Sequence, residues 1–474
     1  MIDIPIIKRL SVVVVSLLIG ACAVGPANER PAAQVPSDWA AGKADARWPA
    51  PDWWTAFRDP ILDRLVAETL ANNHDLKAAV ERVAEARALA QVAGASLYPS
   101  LSTNVQAGRQ KNSSSNPNGK SVTPTNYYQA GLTASYEIDL FGLNRDQAEA
   151  AAANLKGSEF DRRTVELGVA AATASTYFAL GALDARLAVA QEGLANARNT
   201  LQVIRAQQEA GMATPLQVAQ QQVEIATLQA VVPALKTQRQ QAVNALAVLI
   251  GRLPEGFDVN PMAIAQLRPP ETPAGLPSML LERRPDIQSA EAALASANAD
   301  VRAATAAQFP RIDLTAQGGY ASLALHQLFE PGGTFYILAA GLTAPLFDGG
   351  RLRGELAFTE ARYRELVQNY QQKILAAFSD VENSLTAQRN TADTLAAQRD
   401  AVAQATEAYR IARLQYDNGM TLYLAVLTAE VSLLRARDAE VQAQFARLAA
   451  TVSIYQALGG GWRMPASATT ALEP

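Results

Sequence analysis

The feature that most constrains this chain is that it repeats itself at an offset of about 210 residues. Leu97-Tyr98-Pro99 precedes an alternating stretch, Gly131-Leu132-Thr133-Ala134 lies in a second, and a helix-like run ends at Ala210-Gly211-Met212. Gln308-Phe309-Pro310, Gly341-Leu342-Thr343-Ala344 and Asn418-Gly419-Met420 take the same places in the same order. Each copy closes on a break, Ile250-Gly251 and Leu458-Gly459. A unit that joins two short strand-like segments to very long helix-like ones, used twice, predicts one elongated body of two similar halves. Such a body suits a conduit rather than a catalyst. The first repeat is placed at 61–251 and the second at 276–459, with a linker at 252–275 and a tail at 460–474.

The strand-like segments alternate with a period of two. Leu101, Thr103, Val105 and Ala107 form one apolar row, and Tyr128, Ala130, Leu132, Ala134, Tyr136 and Ile138 a second. Ile312, Leu314, Ala316 and Tyr320 form a third, and Tyr336, Leu338, Ala340, Leu342, Ala344 and Leu346 a fourth. These pair into hairpins at about 100–139 and 311–346. Each segment is about ten residues, the length a tilted strand needs to cross a bilayer. Sheet edges are not tolerated in lipid and closed barrels start at about eight strands, so four strands must be pooled with those of other copies of the chain.

The helix-like runs carry coiled-coil seams. Val169, Thr173, Thr176, Leu180, Leu183, Leu187, Ala190, Leu194, Ala197, Leu201 and Ile204 keep a four-three spacing. In the second half Leu424, Leu427, Val431, Leu434, Val441, Phe445, Leu448, Val452 and Tyr455 carry the seam, with polar Asp438 as an interruption. The run from Arg145 to Ala210 predicts a single helix about 100 Å long at about 1.5 Å per residue. Gly211 and Gly419 stand where an outbound helix must turn into a returning one. The tips are placed at Gly211, Met212 and Thr214, running to Pro215, and at Gly419, Met420 and Thr421, running to Tyr423.

At the N-terminus, residues 1–21 read as an export signal: Lys8 and Arg9 lead into an apolar run from Leu10 to Ile19, too short for a membrane-spanning helix. The run ends in Ile19-Gly20-Ala21-Cys22, a pattern that resembles the lipobox of bacterial lipoproteins and predicts lipidation at Cys22. Residues 22–60, rich in Ala and Pro, are expected to form an extended lipidated tether.

Other chemistries find no support. Cys22 is the sole cysteine, which excludes a disulfide framework or a cysteine-metal cluster. His74 and His326 stand in different segments, so no metal site and no cofactor are expected. A net charge of −4 gives no footprint for nucleic acid. Gly349-Gly350 and Gly459-Gly460-Gly461 lack phosphate-loop spacing, and no serine sits in a nucleophile elbow, so the chain is not expected to be an enzyme. Arg283-Arg284-Pro285-Asp286 is read as a helix start, with Asp75 in the equivalent place of the first half.

Cys22-Ala23-Val24-Gly25-Pro26, the run Trp53-Trp54-Thr55-Ala56-Phe57-Arg58-Asp59-Pro60-Ile61-Leu62 and Arg283-Arg284-Pro285-Asp286-Ile287 together resemble the TolC-like outer-membrane factors, in their lipoprotein efflux branch. Phe309-Pro310 before a strand, Ala344-Pro345-Leu346-Phe347-Asp348-Gly349-Gly350 after one, and Ala457-Leu458-Gly459-Gly460-Gly461-Trp462 at the close fit the same family. The resemblance covers the chain from Cys22 to about Trp462. It implies a mainly α fold with a membrane β-barrel: a homotrimer pooling four strands per chain into twelve, above a coiled-coil tunnel. It also implies an outer-membrane, lipid-anchored location reaching into the periplasm, and docking to a periplasmic adaptor and an inner-membrane RND-type pump. The function expected is the passive exit duct of a tripartite efflux system for small molecules. A type I protein secretion duct, or a non-conducting coiled-coil lipoprotein, are the alternatives.

The family often carries an acidic ring shortly after the second tip glycine. Aligned on Gly419, those places fall at Ala425 and Thr428, and neither is a carboxylate. Asp417, before the turn, is a candidate for a displaced substitute, and Leu422, Tyr423 and Leu424 are expected to supply apolar closure.

Overall fold

The computed structural model describes residues 30–32, 35–40, 47–111 and 124–462. Cys22 and the signal segment lie outside them. Among the described residues eight α-helices and four strands follow in order: α1 Pro60–Asn72, α2 His74–Ala95, β1 Ser100–Gln110, β2 Thr125–Ile138, α3 Leu143–Glu209, α4 Pro215–Leu249, α5 Pro277–Arg283, α6 Pro285–Ala306, β3 Arg311–Ser322, β4 Thr334–Thr343, α7 Arg351–Asp417 and α8 Tyr423–Ala457. The repeat is dimensional as well as sequential: α2 and α6 each have 22 residues, α3 and α7 each 67, α4 and α8 each 35.

The same backbone device ends the long helices in both halves. At the tips the amides of Gly211 and Met212 reach back to the Gln208 and Gln207 carbonyls at 2.9 and 2.7 Å, and those of Gly419 and Met420 to Tyr416 and Gln415 at 2.9 and 2.8 Å. This is the Schellman pattern, and it needs a left-handed residue after the last turn, met by φ of 76° at Gly211 and 71° at Gly419. Gly251 and Gly459 close α4 and α8 in the same way. There a second reason for glycine appears: an added Cβ would lie 2.6 Å from the Asn72 carbonyl oxygen or 2.5 Å from that of Arg283. The helix ends are also tied to the helix starts, with Asn73 Nδ2 donating to Leu249 O at 2.9 Å and Arg284 Nη1 to Ala457 O at 3.1 Å.

The chain divides into two compact units. One holds the described residues of 30–31, 83–158 and 290–370, and contains the sheet. Phe141 stacks on Phe309 with centroids 4.6 Å apart, and Arg302 clamps Asp146 at 2.7 Å and Glu149 at 2.6 Å.

The other unit holds the described residues of 32–82, 159–289 and 371–462. Its core gathers Trp53, Phe57, Leu62, Leu65, Tyr177, Phe178, Leu180, Leu246 and Tyr455. The stretch expected as a tether is therefore partly core: Trp39, Trp53 and Phe57 are buried, with Trp53 stacked on Tyr455 at 5.0 Å. A composition rich in Ala and Pro obscures three aromatic rings that bury large apolar areas. Asp59, fully buried, caps α1 by accepting from the Ile61 and Leu62 amides, and its other oxygen accepts from the Tyr177 hydroxyl at 2.5 Å. That hydroxyl in turn accepts from the Met262 amide at 3.0 Å.

Asp438, the interruption of the second seam, takes Arg186 Nε at 2.7 Å and Nη2 at 3.3 Å, so it is a cross-helix ion pair rather than a defect. The seam itself needs correction toward the tip. Tyr423, Val426, Glu430 and Leu433 are the buried positions of α8 there, one residue out of step with the expected Leu424, Leu427, Val431 and Leu434. The helix is apolar on two faces in this stretch, so spacing alone does not say which face the chain's own helices cover.

Candidate functional sites: the sheet face and the helical tips

In the first unit the four strands form one antiparallel sheet in the order β1-β2-β3-β4. Strand alternation puts an apolar row on one side of each strand, and only the register decides whether the rows align. They do. Val105 pairs with Ala130, Ala130 with Tyr320; Leu101 with Ala134, Ala134 with Ala316, and Ala316 with Leu338; Tyr136 with Leu314, and Leu314 with Ala340. One continuous apolar face results, and Leu101, Val105, Leu132, Tyr336, Leu338 and Leu342 on it are more than half exposed.

The opposite face carries Ser102 against Thr133, Thr133 against Gln317, and Glu137 against Asp313. β4 departs from the expected alternation: it ends at Thr343, short of Ala344 and Leu346, and Phe335 and Ile337 also place apolar groups on the polar side. Among the described residues, β1 and β4 each keep one unpaired edge.

An exposed apolar sheet face with two open edges is a liability in water. A bilayer and further strands would remove both problems.

In the second unit the two turns come together with four helix ends. Tyr416 of α7 donates to Gln207 Oε1 of α3 at 3.0 Å, Tyr423 of α8 donates to Gln221 Oε1 of α4, and Gln221 Nε2 donates to Ala197 O of α3 at 2.8 Å. The Tyr416 and Tyr423 rings meet edge to face, 5.6 Å apart, and Ile204, Ala412 and Val426 fill the space around them. Burial pushes the pKa of both phenols above the ordinary tyrosine value, so both remain donors at neutral pH.

The expected site residues divide. Gly211, Met212, Thr214, Gly419 and Met420 are exposed, and Thr421 is half-buried. Leu422, Leu424, Ala425 and Thr428 are exposed, whereas Tyr423 is buried within the chain's own packing. Asp417 is exposed and lies 3.9 Å from Arg413, a loose surface pair worth little. The two turns are not equivalent: Thr214 and Gln217 form a reciprocal capping box with Pro215 at the first helical position, while Leu422 provides no side-chain cap. Gln207, Gln221, Tyr416 and Glu430 escaped the sequence reading, because polar residues on a long helix read as solvated surface.

Gly419→Val is expected to disturb the second turn through backbone strain alone, since an added Cβ there would meet nothing within 4 Å. A left-handed β-branched residue costs about 1–3 kcal/mol. Faster amide exchange over residues 416–423, with the first turn unchanged, is the measurement; unchanged exchange would refute it.

A model of the outer membrane efflux protein family matches residues 65–252 and 276–460, which are the two halves of the repeat. The chain is an outer membrane efflux protein. The pyoverdine export outer membrane protein OpmQ of Pseudomonas aeruginosa is 41% identical over 465 residues, covering 96% of this chain and 97% of that protein. The toluene efflux pump outer membrane protein TtgF of Pseudomonas putida is 33% identical, covering 95% and 96%. Among solved structures, the outer-membrane channel OprN superposes with a TM-score of 0.88 at 29% identity, over 93% of this chain and all of that one. The efflux protein is thus an outer-membrane channel component and not an enzyme, as its sequence predicts.

Proposed function

We propose that this efflux protein is the passive exit duct of a tripartite small-molecule efflux system, assembled as a homotrimer. The observation that carries the reading is the single apolar sheet face bounded by two open edges. Three copies joined edge to edge supply about twelve strands, enough to close a barrel and leave no unpaired backbone in lipid. The apolar face meets lipid, and the polar face lines the lumen.

The helical turns at Gly211 and Gly419 then form the periplasmic mouth, where an adaptor and an inner-membrane pump of the RND type engage. The equal lengths of α3 with α7 and of α4 with α8 support this, because six turns form one ring only if both halves of each chain end at the same level. Small-molecule cargo is the class common to relatives named for pyoverdine and for toluene. Lipidation at Cys22 adds an anchor beside the barrel. The mass of the mature N-terminus tests it: a chain beginning at acylated Cys22 is expected, and an unmodified start downstream would exclude it.

The experiment for the duct is planar-bilayer conductance of the purified full-length protein together with native mass spectrometry. Stepwise conductance from a trimer is expected. A stable monomer as the membrane form, or a trimer that never conducts, would overturn the reading.

A further inference from the structure

Asp59 and Glu430 are the carboxylates buried beyond nine-tenths among the described residues, and they differ in one respect. Asp59 uses both oxygens as acceptors. Glu430 is 5% exposed, and its Oε2 has no hydrogen-bond partner among the described residues. It sits on α8 one turn beyond Val426, in the packed end of the two hairpins, on the same helix face as Tyr423.

An ionised carboxylate without a partner is the least tolerable group in such a place. The surroundings oppose ionisation on balance. Burial is the main cause that raises the Glu430 pKa above its ordinary value of about 4.5, Glu224 of α4 raises it further, and Arg413 of α7 opposes them. Arg413 is itself engaged elsewhere, with Tyr409 at 3.5 Å and Asp417 at 3.9 Å. Glu224 is also pushed up by burial, eased by Arg435 of α8. Tyr423 of α8 and Tyr409 and Tyr416 of α7 are further titratable groups of the cluster, and α3 contributes Ile204 to it.

We propose that Glu430 is a protonation switch for the helix packing at the turn end of the hairpins. Neutral, it stays in the apolar cluster; ionised, it seeks water and α8 separates from α4. The sign follows from linkage. A carboxyl whose pKa is raised by packing favours the packed arrangement fully below its ordinary value. That advantage declines as pH rises from the ordinary to the raised value, and it is gone above. One proton per chain changes the packed-to-loosened ratio by at most about tenfold per pH unit. The consequence for passage rests on reading these turns as the mouth; the packing change does not.

The test is hydrogen exchange of the full-length protein in lipid nanodiscs from about pH 5 to 8, corrected for intrinsic exchange, following residues 409–416 and 423–433. Wild-type protection is expected to fall with pH, by up to about tenfold per unit. Glu430→Gln should hold its acidic-pH protection throughout, and Glu224→Gln should move the decline to lower pH. Flat wild-type protection, or a Glu430→Gln variant that keeps the wild-type dependence, overturns the proposal. Conductance measured on the same preparations separates the two readings: pH-dependent protection with pH-independent conductance keeps the switch and discards the mouth.

Discussion

Replacing Arg284 by Ala is expected to destabilise the helical unit by about 1.5–3 kcal/mol, because it removes charge-assisted hydrogen bonds at a half-buried site. Arg284 donates from Nε and Nη2 to the two oxygens of Asp286, at 3.0 and 2.8 Å. Its Nη1 adds Asp380 Oδ2 at 3.0 Å and the Ala457 carbonyl at 3.1 Å. One side chain therefore joins the start of α6, the body of α7 and the end of α8. Burial alone would raise the Asp286 pKa, but hydrogen bonds and charge from Arg284 outweigh it and hold the carboxyl below its ordinary value. The resulting stabilisation is present above the ordinary carboxylate range and is lost only as pH falls through the lowered value. Arg284→Lys should recover part of the loss, since a point charge keeps the attraction but not the paired geometry. Denaturant midpoints of the two variants in detergent are the measurement, and a wild-type midpoint for Arg284→Ala would refute the role.

Leu132→Arg is expected to cost about 2–4 kcal/mol where the residue lies at the bilayer midplane, with a smaller cost nearer an interface. Leu132 is central in β2, paired with Thr103 on one side and Gly318 on the other, and 54% exposed on the apolar face. Thr133→Arg, one position along on the polar face, is the control and should be tolerated if that face lines a wet lumen. Membrane-inserted yield and thermal stability in liposomes distinguish the two. Equal losses from both substitutions would contradict the assignment of faces, and a greater loss from Thr133→Arg would reverse it.

Much of this fold was legible in the residues because it is locally encoded. A period of two specifies a strand, a four-three spacing specifies a long helix, and a glycine that must take a left-handed backbone specifies where the helix ends. The repeat then fixed the lengths, since Gly211 and Gly419 occupy corresponding places in two copies of one unit. The Arg284-Pro285-Asp286 start of α6 was readable for the same reason.

What only the tertiary structure decided was pairing between distant segments. Alternation in four strands does not say that their apolar rows align; the register of Ala134 with Ala316 and Ala316 with Leu338 does. Spacing in a helix apolar on two sides could not choose between Leu424 and Tyr423, and the choice fell to the face that α3, α4 and α7 cover. Asp438 looked like a flaw until Arg186, 252 residues away in sequence, was placed against it. Glu430 looked like solvated surface until its neighbours enclosed it. A periodic pattern reports the local backbone that repeats it, whereas burial and charge pairing depend on which segments chain folding brings together.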